Sequence, residues 1–168
     1  CWGYNGGSSG LVLGNASTTS TNSSVPVKVD LSATGSHYSS DWDGRTFSGI
    51  SAGADATCAI LSSSLETACW GQGYDDKILG NSTSSIKGTR VDAGSSGDKH
   101  YSVSVGNEHA CIVVASAIEC WGTEVSGELG DGGTASSMAS TPVVVSVPAG
   151  YTPLEVAVSE SSTTSCAL

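Results

Sequence analysis

Six cysteines carry the most evident chemistry of this 168-residue chain. Four of them form two close pairs, Cys58 with Cys69 and Cys111 with Cys120, which are eleven and nine residues apart. Thiols can bind zinc, but zinc sites usually contain shorter Cys-x₂₋₄-Cys steps. An even cysteine count is what a disulfide framework requires, and disulfides persist in oxidising compartments. We therefore expect disulfides, with no metal and no cofactor.

A Cys-Trp-Gly tripeptide recurs along the chain and relates these cysteines to one another. Its three copies are Cys1-Trp2-Gly3, Cys69-Trp70-Gly71 and Cys120-Trp121-Gly122. Each copy precedes a Leu-Gly-Asn/Asp step, at Leu13-Gly14-Asn15, Leu79-Gly80-Asn81 and Leu129-Gly130-Asp131. The other three cysteines, Cys58, Cys111 and Cys166, each belong to the first half of a unit. The sequence therefore starts in the second half of one unit and stops in the first half of another.

The segments that position the cysteines resemble short β-strands. They are rich in β-branched residues, are separated by Ser, Thr and Gly, and show no helical periodicity. The second and third tripeptides are 51 residues apart. Self-similarity at this period, with about four strands per unit, predicts an all-β fold of propeller-like blades. We expect one domain, 1–168, with units at 1–49, 50–102 and 103–155, and a further unit that begins at 156–168.

Within each unit the two cysteines fall on neighbouring strands of a predicted hairpin. Residues that face each other in such a pair have Cα atoms about 4.5 Å apart, which is near the lower end of disulfide geometry. We expect bridges Cys58–Cys69 and Cys111–Cys120, which leaves Cys166 either free or paired with Cys1. The tryptophans Trp2, Trp70 and Trp121 are expected to pack in the core or between blades. A short final strand is expected at Val25–Val29 and at Thr141–Val145.

These motifs resemble the repeats of the regulator of chromosome condensation family, in particular its bacterial and extracellular versions. The resemblance rests on Gly53 to Ile60, Cys69-Trp70-Gly71, Leu79-Gly80-Asn81 and Thr141-Pro142-Val143, and it extends over nearly the whole chain. It implies four-stranded blades, usually seven in a closed propeller. It does not imply guanine-nucleotide exchange, because no position here matches exchange-factor residues.

Composition and charge exclude several functions. The formal net charge is −10, with 6 Lys plus Arg against 16 Asp plus Glu, which argues against a nucleic-acid partner. No apolar run is long enough to span a membrane. The histidines His37, His100 and His109 lie in different units without a nucleophile motif, so we do not expect an enzyme. The acidic residues Asp41, Asp43, Asp75, Asp76, Glu124, Glu128 and Asp131 are expected to be solvated loop charges rather than cation ligands.

Three units are too few for a closed propeller, which needs about four to eight blades. We therefore expect identical chains to associate head to tail, each C-terminal strand around Cys166, Ala167 and Leu168 pairing with the Cys1 strand of the next chain. Such contacts build rings or filaments, and a Cys166–Cys1 bridge would lock them. The expected function is that of a structural subunit of a secreted, cell-surface filament or tube.

Two alternatives remain for the role of the chain. It can be a fragment of a longer, closed propeller that acts as a protein- or glycan-binding recognition module. Cys1 can also be the acylated first residue of a lipoprotein, although only its position supports this. Three Asn-x-Ser/Thr sequons, at Asn15, Asn22 and Asn81, are candidate glycosylation sites.

Overall fold

The computed structural model describes ten stretches of the chain: 1–6, 12–15, 21–30, 44–71, 78–80, 89–91, 93–95, 97–133, 136–160 and 163–168. Every regular element in them is a β-strand, so the predicted all-β class is confirmed. None of these stretches forms a helix with the length and apolarity that a bilayer span requires.

Two four-stranded antiparallel sheets form the centre of the molecule, and each is one blade. The first blade has the order β1-β2-β3-β4, and the second has the order β5-β6-β7-β8. The strands of the first blade are β1 Phe47–Ala52, β2 Ala56–Leu61, β3 Thr67–Gly71 and β4 Thr89–Arg90. Those of the second blade are β5 His100–Val105, β6 His109–Val114, β7 Ala117–Glu124 and β8 Ser137–Val144.

The second strand of each blade is buried along its whole length. Runs such as Ala56–Leu61 and His109–Val114 lack polar alternation because neighbouring blades cover both faces of the sheet. In the second blade the turn between β6 and β7 contains Ala115 with a φ of 52°, as tight hairpin turns require. These hairpins hold the paired cysteines opposite each other.

A half-blade lies next to each complete blade, on the side away from the other complete blade. The inner half-blade consists of β9 Val156–Val158 and β10 Ser165–Ala167, which pair antiparallel. The outer half-blade consists of residues 1–3 paired with residues 23–27, through a bridge between Gly3 and Ser23 and mutual bonds between Cys1 and Val27. The strand expected at Val25–Val29 is thus only partly formed, because its partner strand is three residues long.

The innermost strands β1, β5 and β9 contact one another in sequence order. The Ser51 hydroxyl accepts the Val105 N–H at 3.0 Å, and the Ser104 hydroxyl accepts the Val158 N–H at 2.9 Å. Two apolar clusters fill the spaces between blades. One lies between the first and second blades around Trp121 and Leu79, and the other between the second blade and the inner half-blade around Leu129 and Val156.

Candidate interaction site

The two complete hairpins show how a finished unit is built. Cys58 is bonded to Cys69 and Cys111 to Cys120, with Cα atoms 4.1 Å apart in both disulfides. Each pair occupies facing positions on the second and third strands of its blade. All four cysteines are buried. These bridges therefore belong to the core of the blades.

The inner half-blade contains the first cysteine of a unit without the second. Cys166 faces Ala157 on β9, just as Cys111 faces Ser104 on β5 and Cys58 faces Ser51 on β1. Its thiol is free and exposed. In the part of the chain that the structure describes, no strand pairs with the other edge of β10. A third strand could therefore pair with this open edge and would lie next to a free thiol.

The outer half-blade contains the second cysteine of a unit without the first. Cys1 is free and partly exposed. Its strand pairs with residues 23–27, and the second blade shows the same pairing register. Cys1 bonds to Val27 and Gly3 to Ser23, while in the second blade Cys120 pairs with Val143 and Gly122 with Ala139. Residues 1–3 and 23–27 thus reproduce the outer half of a complete blade.

The tryptophans of the three Cys-Trp-Gly copies separate into two environments. Trp70 and Trp121 have exposed fractions of 2% and 0%, whereas Trp2 has 66%. Trp121 lies against Gly80, where an added Cβ would be 2.9 Å from Cε2 of the indole. Trp70 lies in the same way against Gly14. Each buried indole therefore packs on the Leu-Gly step of the unit before it, whereas Trp2 contacts no such step among the described residues.

A groove of about 630 Å³ lies between the third Leu-Gly step and the inner half-blade. Its walls come from four segments: 127–130 after β7, 145–148 after β8, 151–153 before β9, and β10 with the residues on either side of it. The disulfide Cys111–Cys120 and the valines Val145, Val147 and Val156 make much of this surface apolar. Cys166, Ala167 and Leu168 also line the groove, and all three are exposed.

A polar cluster of His109, Ser165 and Glu128 borders the groove. His109 Nε2 lies 2.9 Å from Ser165 Oγ, which donates to the Glu128 carbonyl at 2.9 Å. Burial lowers the pKa of His109, and the carboxylates of Glu128 and Glu108 oppose this shift only in part. Because the Ser165 proton is directed to a carbonyl oxygen, the cluster ties β10 to the second blade and does not form a nucleophile–base pair.

The Glu128 carboxylate is held by the loop in which it lies. Its Oε2 accepts the N–H groups of Val125 and Ser126, both at 2.7 Å. Burial alone would raise the pKa of Glu128, but these bonds and the nearby His109 lower it overall. The charged carboxylate therefore stabilises the Gly127–Gly130 turn that forms one wall of the groove. Across the described residues no group of three His, Cys, Asp or Glu side chains has metal-binding geometry.

The expectation of solvated acidic loops is wrong for Glu124 and Glu128, which are only 2% and 4% exposed. Their carboxylates are held by hydrogen bonds from the surrounding chain, whereas Asp131 is exposed as expected.

The remaining predicted sites are distributed as follows. Asn15 is partly exposed and Asn22 is exposed, and the Asn22 side-chain oxygen accepts the Asn5 N–H at 3.0 Å. Asn81, His37, Asp41, Asp43, Asp75 and Asp76 lie outside the described residues. His100 is buried and lies 2.9 Å from the Thr67 hydroxyl, through Nδ1. It therefore joins the two blades.

The groove and the indole contacts were missed at the sequence level. Trp2, Trp70 and Trp121 were expected to pack, but the glycines on which two of them pack were not identified. The available signal was that each Cys-Trp-Gly unit is followed by a Leu-Gly step of constant type. The glycines Gly14, Gly80 and Gly130 all have positive φ, between 65° and 72°.

Comparison with solved structures shows the fold. The human WBSCR16 crystal structure matches with a TM-score of 0.68 and 18% identity over 94% of this chain. Yeast RCC1 (Prp20), solved bound to Kap60, matches with a TM-score of 0.67 and 16% identity over 94%. Prp20p from Saccharomyces cerevisiae, described with its binding to Gsp1p and histones, matches 64% of the chain with a TM-score of 0.50 and 20% identity.

The chain spans about a third of these proteins, since it covers 37% of WBSCR16, 33% of RCC1 in the Kap60 complex and 27% of Prp20p. No protein-family model matches the sequence. No curated protein matches it either. The likeness is therefore one of architecture, and it agrees with the repeat motifs.

Proposed function

We propose that this chain, which has the RCC1-type β-propeller fold, is a structural subunit of an extracellular disulfide-linked filament or tube. In this assembly the inner half-blade of one copy is completed by the outer half-blade of the next. The observation that carries the proposal is the pair of free cysteines. Cys1 and Cys166 occupy the two hairpin positions that are disulfide-bonded in both complete blades.

The register of the complete blades specifies the junction. In the first blade Cys58 faces Cys69 and Thr57 faces Trp70. By the same register, Cys166 of one copy would face Cys1 of the next, and Ser165 would face Trp2. The open edge of β10 would then gain a strand, as in other cases of strand addition to a sheet edge.

The junction bond would form by thiol–disulfide exchange. Cys166 and Cys1 each lose a proton, and together they give two electrons to a small extracellular disulfide such as oxidised glutathione, which leaves as two thiols. One sulfur–sulfur bond forms as the other breaks. Because an oxidising extracellular compartment favours this product, the filament would lie outside the cell.

Two residues of the inner half-blade favour an open assembly over a closed ring. Ala157 occupies the position of Ser51 and Ser104, so it has no hydroxyl to accept a bond from a following innermost strand. Ser159 follows β9 as Gly53 follows β1 and Gly106 follows β5. A Cβ at Gly53 would collide with the Gly106 carbonyl, and one at Gly106 would lie 2.7 Å from the Ser159 carbonyl.

The junction therefore cannot repeat the innermost contact made between the blades of one chain. The next copy is expected to meet the inner half-blade mainly through its outer strands. A head-to-tail contact rotates each copy relative to the one before it. Such contacts build a helical filament unless the rotations add up to a closed ring.

A two-variant mixture tests the proposal. The C1S chain keeps Cys166, and the C166S chain keeps Cys1. In a glutathione redox buffer with oxidised glutathione present, we expect the unaltered chain to give a ladder of covalent species on a non-reducing gel. The two variants mixed should stop at a heterodimer, and C166S alone should remain monomeric.

The heterodimer is the decisive species, because it requires one Cys1 and one Cys166. An unaltered chain that stays monomeric with two free thiols would overturn the proposal. So would a mixture in which C1S forms only Cys166–Cys166 dimers and none with C166S. Electron microscopy of the oxidised unaltered chain then separates filaments from rings, and closed rings would contradict the filament.

A second candidate function is that of a recognition module within a longer propeller, binding a protein or a glycan. Its support is that RCC1 (Prp20), which has a similar structure, was solved bound to Kap60, and that Prp20p was described with its binding to Gsp1p and histones. In that case a further Cys-Trp-Gly strand of the same polypeptide completes the inner half-blade. A gene that encodes enough additional units to close a ring would favour this function.

A further inference from the structure

The groove beside the inner half-blade has features of a binding site for one particular side chain. We infer that it is an indole socket, whose occupant is Trp2 of a second copy of this chain. The inference rests on the proposed function, because it names the side chain that anchors the same junction. It continues an interface that the molecule already forms twice.

The two internal interfaces define what such a socket contains. In each, the tryptophan of one unit lies on the glycine of the preceding Leu-Gly step, Trp70 on Gly14 and Trp121 on Gly80. The glycines are required, because a Cβ would intrude into the indole and because the backbone has a positive φ. The leucine beside each glycine, Leu13 or Leu79, is buried underneath.

The third Leu-Gly step has the same structure without an indole. Leu129 is 1% exposed, and Gly130 has a φ of 65°, compared with 67° for Gly14 and 72° for Gly80. The three atoms nearest to a Cβ on Gly130 all belong to Val145, whereas at Gly14 and Gly80 the nearest atoms belong to an indole. The groove of about 630 Å³ opens at this position.

A hydrogen-bond acceptor is also in place. Trp121 Nε1 donates to the Ile78 carbonyl at 2.7 Å, and the residue that corresponds to Ile78 in the third step is Glu128. The Glu128 carbonyl already accepts the Ser165 hydroxyl, but a carbonyl oxygen has two lone pairs. The buried Trp70 Nε1 has no acceptor within the described part of the chain, so indole packing comes first and the bond adds to it.

Trp2 fits this socket by position and by exposure. In the second blade Trp121 faces Ala110 across the strand pair, and the corresponding residue on β10 is Ser165, which lies against the Glu128 carbonyl. A Cys1 strand paired in the same register would bring Trp2 to this place. Burial of an indole that is 66% exposed in the single chain would supply the main apolar contact of the junction.

The test uses the heterodimer of C1S with C166S and alters Trp2 only in the C166S partner. The equilibrium constant for the Cys1–Cys166 bond is measured in glutathione redox buffers. We expect Trp2→Ala to lower it roughly 30-fold or more, as truncation of an interface hot spot does. Trp2→Phe should give a smaller loss, because it keeps a ring but removes the N–H donor.

Tyr101→Ala in the same partner is the matched control, since Tyr101 is also an exposed aromatic residue but lies on the innermost strand of the second blade. It should leave the constant unchanged. Hydrogen exchange of the Trp2 indole N–H, followed by NMR, gives a second readout. The indole should exchange fast in the single chain and slowly in the heterodimer.

The possible failures are distinguishable. If no heterodimer forms even with Trp2 intact, the proposed assembly is wrong. If the heterodimer forms equally well with Trp2→Ala, or if the indole N–H stays unprotected, the socket is wrong while the assembly stands. Both the Ala variant and the control are expected to fold, because each replaces an exposed side chain.

Discussion

The interface between the two blades and the groove at the inner half-blade contain the same structural parts, except that only the interface contains an indole. Both have a buried leucine followed by a positive-φ glycine, and both adjoin a cysteine hairpin strand. At the interface the indole of Trp121 covers Gly80. At the groove Gly130 meets only the side chain of Val145 among its nearest atoms, and both residues line the open groove. At both of the filled interfaces, the indole that covers the glycine comes from the third strand of the following unit.

The strongest test of this difference compares the same substitution at both tryptophans. We expect Trp121→Ala to destabilise the chain by about 3–5 kcal/mol, since it removes a fully buried indole and leaves a cavity. Trp2→Ala should change the stability of the single chain by no more than about 0.5 kcal/mol. Denaturant unfolding with thiols blocked measures both.

Blocked thiols keep the comparison free of junction disulfides, and Tyr101→Ala provides a reference for an exposed aromatic residue. Similar losses for Trp2→Ala and Trp121→Ala would show that Trp2 is already buried within the single chain. The distinction between a filled and an open interface would then disappear.

A second comparison concerns the glycine under the indole. Gly80→Ala should destabilise by about 2–4 kcal/mol, because left-handed backbone strain adds to a collision with Trp121. Gly44 has a similar φ of 81° with nothing within 4 Å of an added Cβ, so Gly44→Ala should cost only the strain, about 1 kcal/mol. Equal losses in thermal unfolding would mean that the Gly80–Trp121 contact is not required.

Reduction sharpens the contrast between the two kinds of cysteine pair. The internal disulfides are buried, with exposed fractions of 1% or less for their cysteines, whereas Cys166 is exposed. Because exchange needs access for the attacking thiolate, mild reductant should separate oxidised assemblies into single chains that keep both internal bridges. Mass spectrometry after alkylation would count two modified cysteines per chain, and six would contradict the assignment.

A smaller effect is expected with pH, at the cluster that ties the inner half-blade to the second blade. Burial lowers the pKa of His109 in the folded chain, so the unfolded chain binds more protons near the ordinary imidazole pKa of about 6.5. This contribution to stability is present above that pH and is lost as the pH falls through the folded pKa.

The matched variant for this effect is His109→Gln, which keeps a side-chain donor toward Ser165. Unfolding midpoints between pH 7.5 and 5.5 should fall less in the variant than in the unaltered chain. The low pKa of Glu128 acts only at lower pH, outside this window. An identical pH dependence in both proteins would contradict the role of His109.

The sequence was sufficient for the fold class and the blade architecture, because both depend on local repetition. Cysteine spacing placed facing positions on one hairpin, and the run of short strands predicted sheets of four. The contacts between units could not be predicted from the sequence. Trp121 meets Gly80, and Ser165 meets the Glu128 carbonyl, only after separate units stack. The role of Ala157 and Ser159 could be inferred only from the structure, in which their counterparts Ser104 and Gly106 contact the next strand.

Disulfide mapping on an oxidised mixture of ¹⁴N- and ¹⁵N-labelled chains shows whether the half-blades of different copies complete each other. We expect a Cys1 peptide linked to a Cys166 peptide, with pairs that join one light half to one heavy half. Such mixed pairs require that the bond lies between copies. Unlinked Cys1 and Cys166, or linked pairs that are always of one isotope, would contradict the completion of one copy's half-blade by another.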